Sequence, residues 1–161
     1  MNRVPWLVET IEIEAPAAVV WALIQDVRRM ADWSPQVQST RLSDGATEVA
    51  QDVRFTNANR QGELEWKTHA TVVRFDDERE LAFRIEENWA IWSFRLEETG
   101  RHTTLLTQER EAPEGISDVS RDLTNAYLGG QEVFTDTLRA GMRETLAAIR
   151  DAALEERSAR G

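Results

Sequence analysis

Residues 11–37 read IEIEAPAAVVWALIQDVRRMADWSPQV, and the order of patterns within this stretch decides the fold. Ile11 and Ile13 alternate with acidic residues, which predicts a β-strand over residues 6–14. Pro16 then stands where a helix can begin, because the first helical N–H has no acceptor within the helix and proline lacks that N–H. The apolar residues that follow repeat with helical spacing: Val20, Trp21, Leu23, Ile24 and Val27.

The chain continues with a second short helix, a run of strands and one long helix. The short helix ends at Ser34-Pro35, since proline disfavours helical backbone in the residue before it. Turn residues divide the next segment into consecutive strands, which predicts an antiparallel meander. The predicted strands span 37–43, 47–57, 62–75, 79–87, 90–98 and 103–111. Beyond Pro113 and Gly115 the pattern is helical, with a stripe formed by Leu123, Tyr127, Phe134, Leu138, Met142, Leu146, Ile149 and Ala153.

This order of elements predicts an α+β fold with a seven-stranded antiparallel sheet. The sheet needs a cover for its apolar face, and only the C-terminal helix is long enough to provide one. We therefore expect this helix to lie across the concave face of the sheet. The length of 161 residues fits a single domain, 1–161, with a packed core over about 6–155.

The composition excludes several classes of function. The formal net charge of −10 argues against nucleic acid and against the anionic surface of a membrane as partners. The chain has no cysteine, which excludes disulfides, thiolate catalysis and cysteine-ligated metals. No signal peptide is visible and no apolar stretch is long enough to cross a bilayer, so we expect a cytoplasmic protein without membrane insertion. Monomer and homodimer both stay open as oligomeric states.

Alternation along the strands indicates which side chains face the helix. Strand 47–57 is predicted to turn Val49, Gln51 and Val53 inward together with Phe55 and Asn57. Strand 103–111 leaves two options: either Thr104, Gln108 and Arg110 face inward, or Thr103, Thr107 and Glu109 do. Any space between the sheet and the helix would be lined by Trp33, Phe55, Asn57, Trp66, Thr68, Phe83, Trp92, Phe94, Tyr127, Gly130, Gln131, Phe134 and Leu138.

Four stretches, in this order, resemble the SRPBCC superfamily. They are residues 11–37, NRQGELEWKTHATVVRFDDERELAFRI at 59–85, IWSFRLEE at 91–98 and MRETLAAIR at 142–150. The resemblance covers about residues 8–153 and implies a helix-grip architecture, as in START domains and the birch pollen allergen. In that architecture a curved seven-stranded sheet wraps a long C-terminal helix and leaves a cavity between them. Members bind lipids, sterols, hormones or polyketides, and some are aromatase/cyclases.

We therefore interpret the chain as a carrier or sensor that binds a small hydrophobic molecule, lipid, sterol-like or polyketide-like, without a cofactor. A metal site is not expected, because the two histidines, His69 and His102, are predicted on a solvent face and at a turn. One alternative is a polyketide aromatase/cyclase, for which Arg110, Tyr127 and Glu109 are the weak catalytic candidates. A plain packed core would show the same lining. A partner-binding module ranks last, because the outer strand faces are heavily charged.

Gly129 and Gly130 interrupt the long helix, where each glycine costs about 0.5–1 kcal/mol relative to alanine. Three interpretations stay open. The pair is a joint between a short helix (about 119–128) and a main helix (about 131–156), a kink, or a gate that opens cavity volume and admits a ligand. The gate hypothesis predicts that Gly130→Leu abolishes ligand uptake with little loss of fold.

Overall fold

A computed structural model describes residues 7–113 and 130–160, and the side chains of 7–113 and 132–159. Over these residues the helices and strands follow the predicted order. The strands are β1 (Leu7–Ile13), β2 (Val37–Leu42), β3 (Arg54–Gln61), β4 (Leu64–Asp76), β5 (Glu80–Ile85), β6 (Ile91–Gly100) and β7 (Thr103–Glu111). The helices are α1 (Ala17–Ile24), a 3-10 turn (Val27–Arg29), α2 (Met30–Trp33) and α3 (Gly130–Arg160).

The seven strands form one antiparallel sheet in the order β1-β7-β6-β5-β4-β3-β2. The helical segment after β1 carries the chain to the far edge, and the meander from β2 brings it back beside β1. β-Bulges at Val37/Ser39, Val72/Arg74 and Glu98/Gly100 bend β2, β4 and β6. The curved sheet receives α3 on its concave side, so the predicted helix-grip fold is confirmed.

The main core lies between the sheet, α1 and the C-terminal half of α3. The apolar stripe predicted for α1 is buried, and Trp21 packs edge-to-face on Phe75, with ring centroids 5.4 Å apart. Leu146, Ile149 and Ala153 of α3 join the same core. The predicted helix stripe is thus buried over its C-terminal part, as the 3.6-residue period requires. Leu123, Tyr127, Gly129 and the segment 119–128 lie outside the described residues.

Polar contacts attach α3 to the first strand along its length. Arg139 and Arg143 lie one turn apart on α3, with guanidinium nitrogens 3.7 and 3.1 Å from the Glu9 carboxylate on β1. Near the other end, Arg157 Nη1 donates to the backbone carbonyl of Glu14 at 2.6 Å. The helix continues to Arg160, past the predicted end near 156.

The prediction of a strand over 47–57 is wrong in its first half. Asp52 adopts a left-handed backbone with φ of +71°, and Val53 N–H donates to the Ala50 carbonyl, so the chain turns here. Regular pairing starts only at Arg54. Gln51, predicted inward, is exposed, and its side-chain N–H donates to the Val73 carbonyl at the bulge of β4.

Among the residues that the structure describes, no helix has the length and hydropathy needed to cross a membrane.

We expect a buried hydrogen bond between β7 and the start of α1 to contribute to stability. Thr104 Oγ1 donates to the Ala15 carbonyl at 2.8 Å, and both residues are fully buried. Thr104→Val keeps the side-chain shape but leaves that carbonyl without its donor. The free energy of unfolding, measured by urea denaturation, should fall by about 1–2 kcal/mol.

The matched control is Thr103→Val on the neighbouring residue. The Thr103 hydroxyl meets that of Thr99 at an exposed site, so this change should alter the free energy of unfolding by less than about 0.5 kcal/mol. Equal effects of the two substitutions would contradict the assignment of stability to the Thr104–Ala15 hydrogen bond.

Candidate functional site: a cavity between the sheet and the C-terminal helix

A cavity of about 140 Å³ lies between the sheet and the N-terminal half of α3. A cavity of about 150 Å³ in another protein accommodates benzene, so this one has the size of a single ring. Its walls come from α2, the loop that follows α2, the strands β2 to β7 and α3. Nine of the predicted residues line it: Trp33, Asn57, Trp66, Thr68, Phe83, Trp92, Phe94, Phe134 and Leu138.

Aromatic side chains form an apolar wall, and the pairing of neighbouring strands places them side by side. Phe83 on β5 pairs with Trp92 on β6, and Trp92 pairs with Arg110 on β7. Trp33 approaches from α2, and the Arg29 guanidinium lies over its ring at 4.8 Å from the centroid. The wall is thus built from several separate elements, which fixes its shape.

Four predicted lining residues are not part of this described wall. Phe55 does not line the cavity, because it pairs with Ala70 in the core and packs edge-to-face on Phe83, with ring centroids 5.1 Å apart. Tyr127 and the side chain of Gln131 lie outside the described residues. Gly130 is where α3 begins, and nothing beyond that is described for it. The joint, kink and gate interpretations therefore all stay open.

A group of amides forms a polar patch where β3 meets β4. Thr40 Oγ1 donates to Asn57 Oδ1 at 2.6 Å, and Asn59 Nδ2 donates to Thr68 Oγ1 at 3.0 Å. Asn57 and Asn59 are both buried, and both line the cavity. Asn59 was missed because the predicted strand ended at residue 57. Continuing its alternation by two residues would have placed Asn59 on the inner face.

For strand 103–111 the sequence leaves two options, and the structure shows that the set with Arg110 faces inward. Thr104, Gln108 and Arg110 share the inner face of β7, and the last two line the cavity. The opposite set, Thr107 and Glu109, is also buried, although it lies on the outer face. Glu109 Oε1 lies 2.6 Å from Arg95 Nη2 on β6. The catalytic candidate Glu109 is therefore held on the side of the sheet away from the cavity.

Arg110 is a buried cation without a partner among the described residues. The residue is 6% exposed, and no described side chain or carbonyl makes a hydrogen bond or ion pair with it. Its guanidinium lies 6.0 Å from the Trp92 ring centroid, at the outer limit of a cation–π contact. Burial lowers the pKa of Arg110 to about 10, which is well above neutral pH, so the guanidinium stays charged.

Gln108 is the second polar group that the β7 strand presents to the cavity. Its side-chain oxygen is buried without a hydrogen-bond partner. Gln108 pairs with Phe94 on β6, just as Arg110 pairs with Trp92, so each polar residue has an aromatic neighbour. The described lining contains no other charged side chain, and no Asp, Glu, His, Lys or Tyr.

A groove of about 330 Å³ adjoins the cavity on the side of α3 and the loop after α2. The two spaces share lining residues, so the groove lies directly beside the cavity. The shared residues are Ser34, Gln36, Trp92, Gln108, Leu138 and Thr145. Gly141 lies in the groove wall, where an added Cβ would be 3.6 Å from Pro35 Cγ, so helix and loop are in close contact.

One cluster of possible metal ligands occurs among the described residues, on the opposite face of the sheet. It consists of His69, Glu86 and Glu87, and all three are exposed. His69 Nδ1 lies 2.6 Å from Glu87 Oε2, so the imidazole already has a partner. We assign no metal site to this exposed cluster.

Comparison with known proteins places this architecture in a family. The seven-stranded sheet with its long C-terminal helix defines the class of SRPBCC-type helix-grip proteins. Residues 7–155 match the model of the family described as "Polyketide cyclase / dehydrase and lipid transport", and the chain belongs to this family. The predicted SRPBCC membership is therefore confirmed. A search of curated protein sequences finds no significant match.

Solved structures show the same fold at low sequence identity. The ZhuI aromatase/cyclase from Streptomyces sp. R1128 is 18% identical, with a TM-score of 0.70 over 98% of both chains. The di-domain aromatase/cyclase StfQ of the steffimycin biosynthetic pathway is 10% identical, with a TM-score of 0.74 over 95% of this chain and 51% of StfQ. The Polyketide_cyc-like protein Cgl2372 from Corynebacterium glutamicum is 25% identical, with a TM-score of 0.61 over 93% of this chain and 91% of Cgl2372.

Replacing Arg110 by a shape-matched apolar residue should stabilise the unliganded protein. A charge that is buried without a partner opposes folding, and Arg110→Met removes that charge while keeping a long side chain. We expect the free energy of unfolding to rise by about 1–3 kcal/mol, measured by urea denaturation at pH 7.

Arg95→Met provides the matched comparison on the outer face. It removes a partner of the buried Glu109 carboxylate, so the free energy of unfolding should fall, by about 1–3 kcal/mol because Arg95 is itself half exposed. A loss of stability in Arg110→Met as large as that in Arg95→Met would show that the fold compensates the Arg110 charge.

Proposed function

We propose that the protein binds a small hydrophobic molecule in the cavity under α3, as a carrier or sensor. The observation that supports this most directly is the cavity itself, which has an aromatic wall and a few placed polar groups in a family whose name includes lipid transport. A mostly apolar pocket with a small number of oriented polar groups is typical of small-molecule sites.

The polar groups argue against a plain packed core. A core at normal packing density needs no amides or cations facing an internal space, because each of them loses hydration when it is buried. Here Asn57, Asn59, Gln108 and Arg110 all face the same cavity. A ligand with an apolar body and hydrogen-bonding groups would pack against the aromatic wall and also form hydrogen bonds with these polar side chains.

The aromatase/cyclase alternative rests on Arg110 and on the description of the family. A cyclase promotes enolisation and dehydration of a poly-β-ketone by proton transfer, for which it needs an acid or base of suitable pKa. The described lining offers no carboxylate, imidazole, amine or phenol, and the candidate Tyr127 lies outside the described residues. Turnover of a poly-β-ketone that falls by orders of magnitude in Arg110→Met, with the fold kept, would support the cyclase instead.

Filling the cavity should block binding. Thr68 lines the cavity and keeps part of its surface accessible, so Thr68→Phe would place a phenyl ring in a space of about one ring. In an NMR titration with 4-phenylbutan-2-one, the indole N–H signals of the native protein should shift on binding. The affinity of Thr68→Phe should be lower by at least about tenfold, since the added ring competes for the same volume.

The control is Thr71→Phe, which adds the same ring to the outer face of the same strand. It should bind the ketone as the native protein does. Native mass spectrometry of the purified protein should also reveal any co-purified apolar molecule. An absence of binding in the native protein, or equal affinity in Thr68→Phe, would overturn the proposed function.

A further inference from the structure

We propose that the cavity selects a hydrophobic carboxylic acid, with the carboxylate bound by Arg110 and Gln108 and the apolar body against the aromatic wall. This inference rests on the proposed function, because it assigns a ligand class to the same cavity. It is carried by two polar side chains, each more than nine-tenths buried, that face the cavity without partners among the described residues.

The first step concerns the charge of Arg110. A buried arginine is ordinarily stabilised by a carboxylate, by backbone carbonyls, or by extending its guanidinium to solvent. Arg110 makes no such ion pair or hydrogen bond with a described residue, and at 6% exposure it does not extend to bulk water. Since no other described lining residue is charged, we assign the neutralising anion to a ligand.

The second step concerns Gln108. It lies two residues before Arg110 on the same face of β7, so the two side chains are neighbours along the strand. Its amide oxygen is buried without a partner, and a half-turn about the last torsion presents the N–H₂ group in its place. An amide N–H beside the planar donor fork of a guanidinium matches the two oxygens of one carboxylate.

The third step selects a carboxylate over a phosphate monoester. A phosphate monoester carries up to two negative charges at neutral pH, whereas the described lining supplies one cation. A monoanion balances that single charge. The aromatic pairs then define the body of the ligand, because Trp92 and Phe94 are the cross-strand neighbours of Arg110 and Gln108. One ring fits within about 140 Å³, and a longer body would extend into the adjoining groove, which shares Gln108 and Trp92 with the cavity.

The test compares an acid with its uncharged counterpart of the same shape. The native protein is titrated at pH 7 with 3-phenylpropanoate and with 3-phenylpropanamide, by calorimetry or by NMR of the tryptophan indole signals. The acid should bind roughly 10–100-fold more tightly than the amide, as expected for hydrogen bonds to a charged group. In Arg110→Met this ratio should fall to about one, and in Arg110→Lys it should be intermediate, because a lysine keeps the charge but loses the two-pronged geometry.

The matched control is Arg41→Met, which removes an exposed arginine from β2 and changes the net charge equally. It should leave the ratio of acid to amide affinity as in the native protein. Equal affinity for acid and amide in the native protein, or an acid preference that survives in Arg110→Met, would overturn this inference while leaving the proposed function intact. Failure of both probes to bind a folded native protein would overturn the proposed function as well.

Discussion

The structure depends on one packing constraint, namely that a single helix has to cover the concave face of a seven-stranded sheet. The C-terminal half of α3 meets this constraint with Leu146, Ile149 and Ala153, which pack with α1 in the hydrophobic core. Under the N-terminal half of α3 the strands carry Asn57, Gln108 and Arg110 in place of aliphatic residues, and the cavity lies there.

The two polar regions of the cavity differ in how they are held. Asn57 and Asn59 are fixed by hydrogen bonds to Thr40 and Thr68, so they form a rigid frame. Arg110 has no hydrogen bond or ion pair among the described residues, and the strand register places it opposite Trp92. Burial removes this guanidinium from bulk water when the chain folds, which costs stability. Under the proposal above, a bound anion would offset that cost, because the cation is already desolvated before the anion arrives.

The sequence predicts the sheet well wherever one strand face is apolar and the other is charged, as with Trp66 and Thr68 against Lys67 and His69. The prediction fails at β7, because Thr107 and Glu109 are buried on the outer face as well. Polar residues therefore occur on both faces of β7, and the pattern does not indicate which face points inward. The false strand start before Arg54 has another cause. Val49 and Val53 alternate as in a strand, but the left-handed backbone of Asp52 breaks the pairing. An aspartate adopts this conformation only occasionally, so its presence does not predict the break. Alternation also cannot reveal that Arg110 has no counter-ion among the described residues, since ion pairs form between residues distant in sequence.

The bulge in β2 makes the edge of the sheet irregular at this strand. β2 is an edge of the described sheet, and an unpaired edge is a template on which another chain can add a strand. The bulge between Val37 and Ser39 interrupts the regular ladder, and Gln38, Ser39 and Arg41 present polar, exposed side chains along it. This edge is consequently a poor template for aggregation or for a dimer built by continuing the sheet.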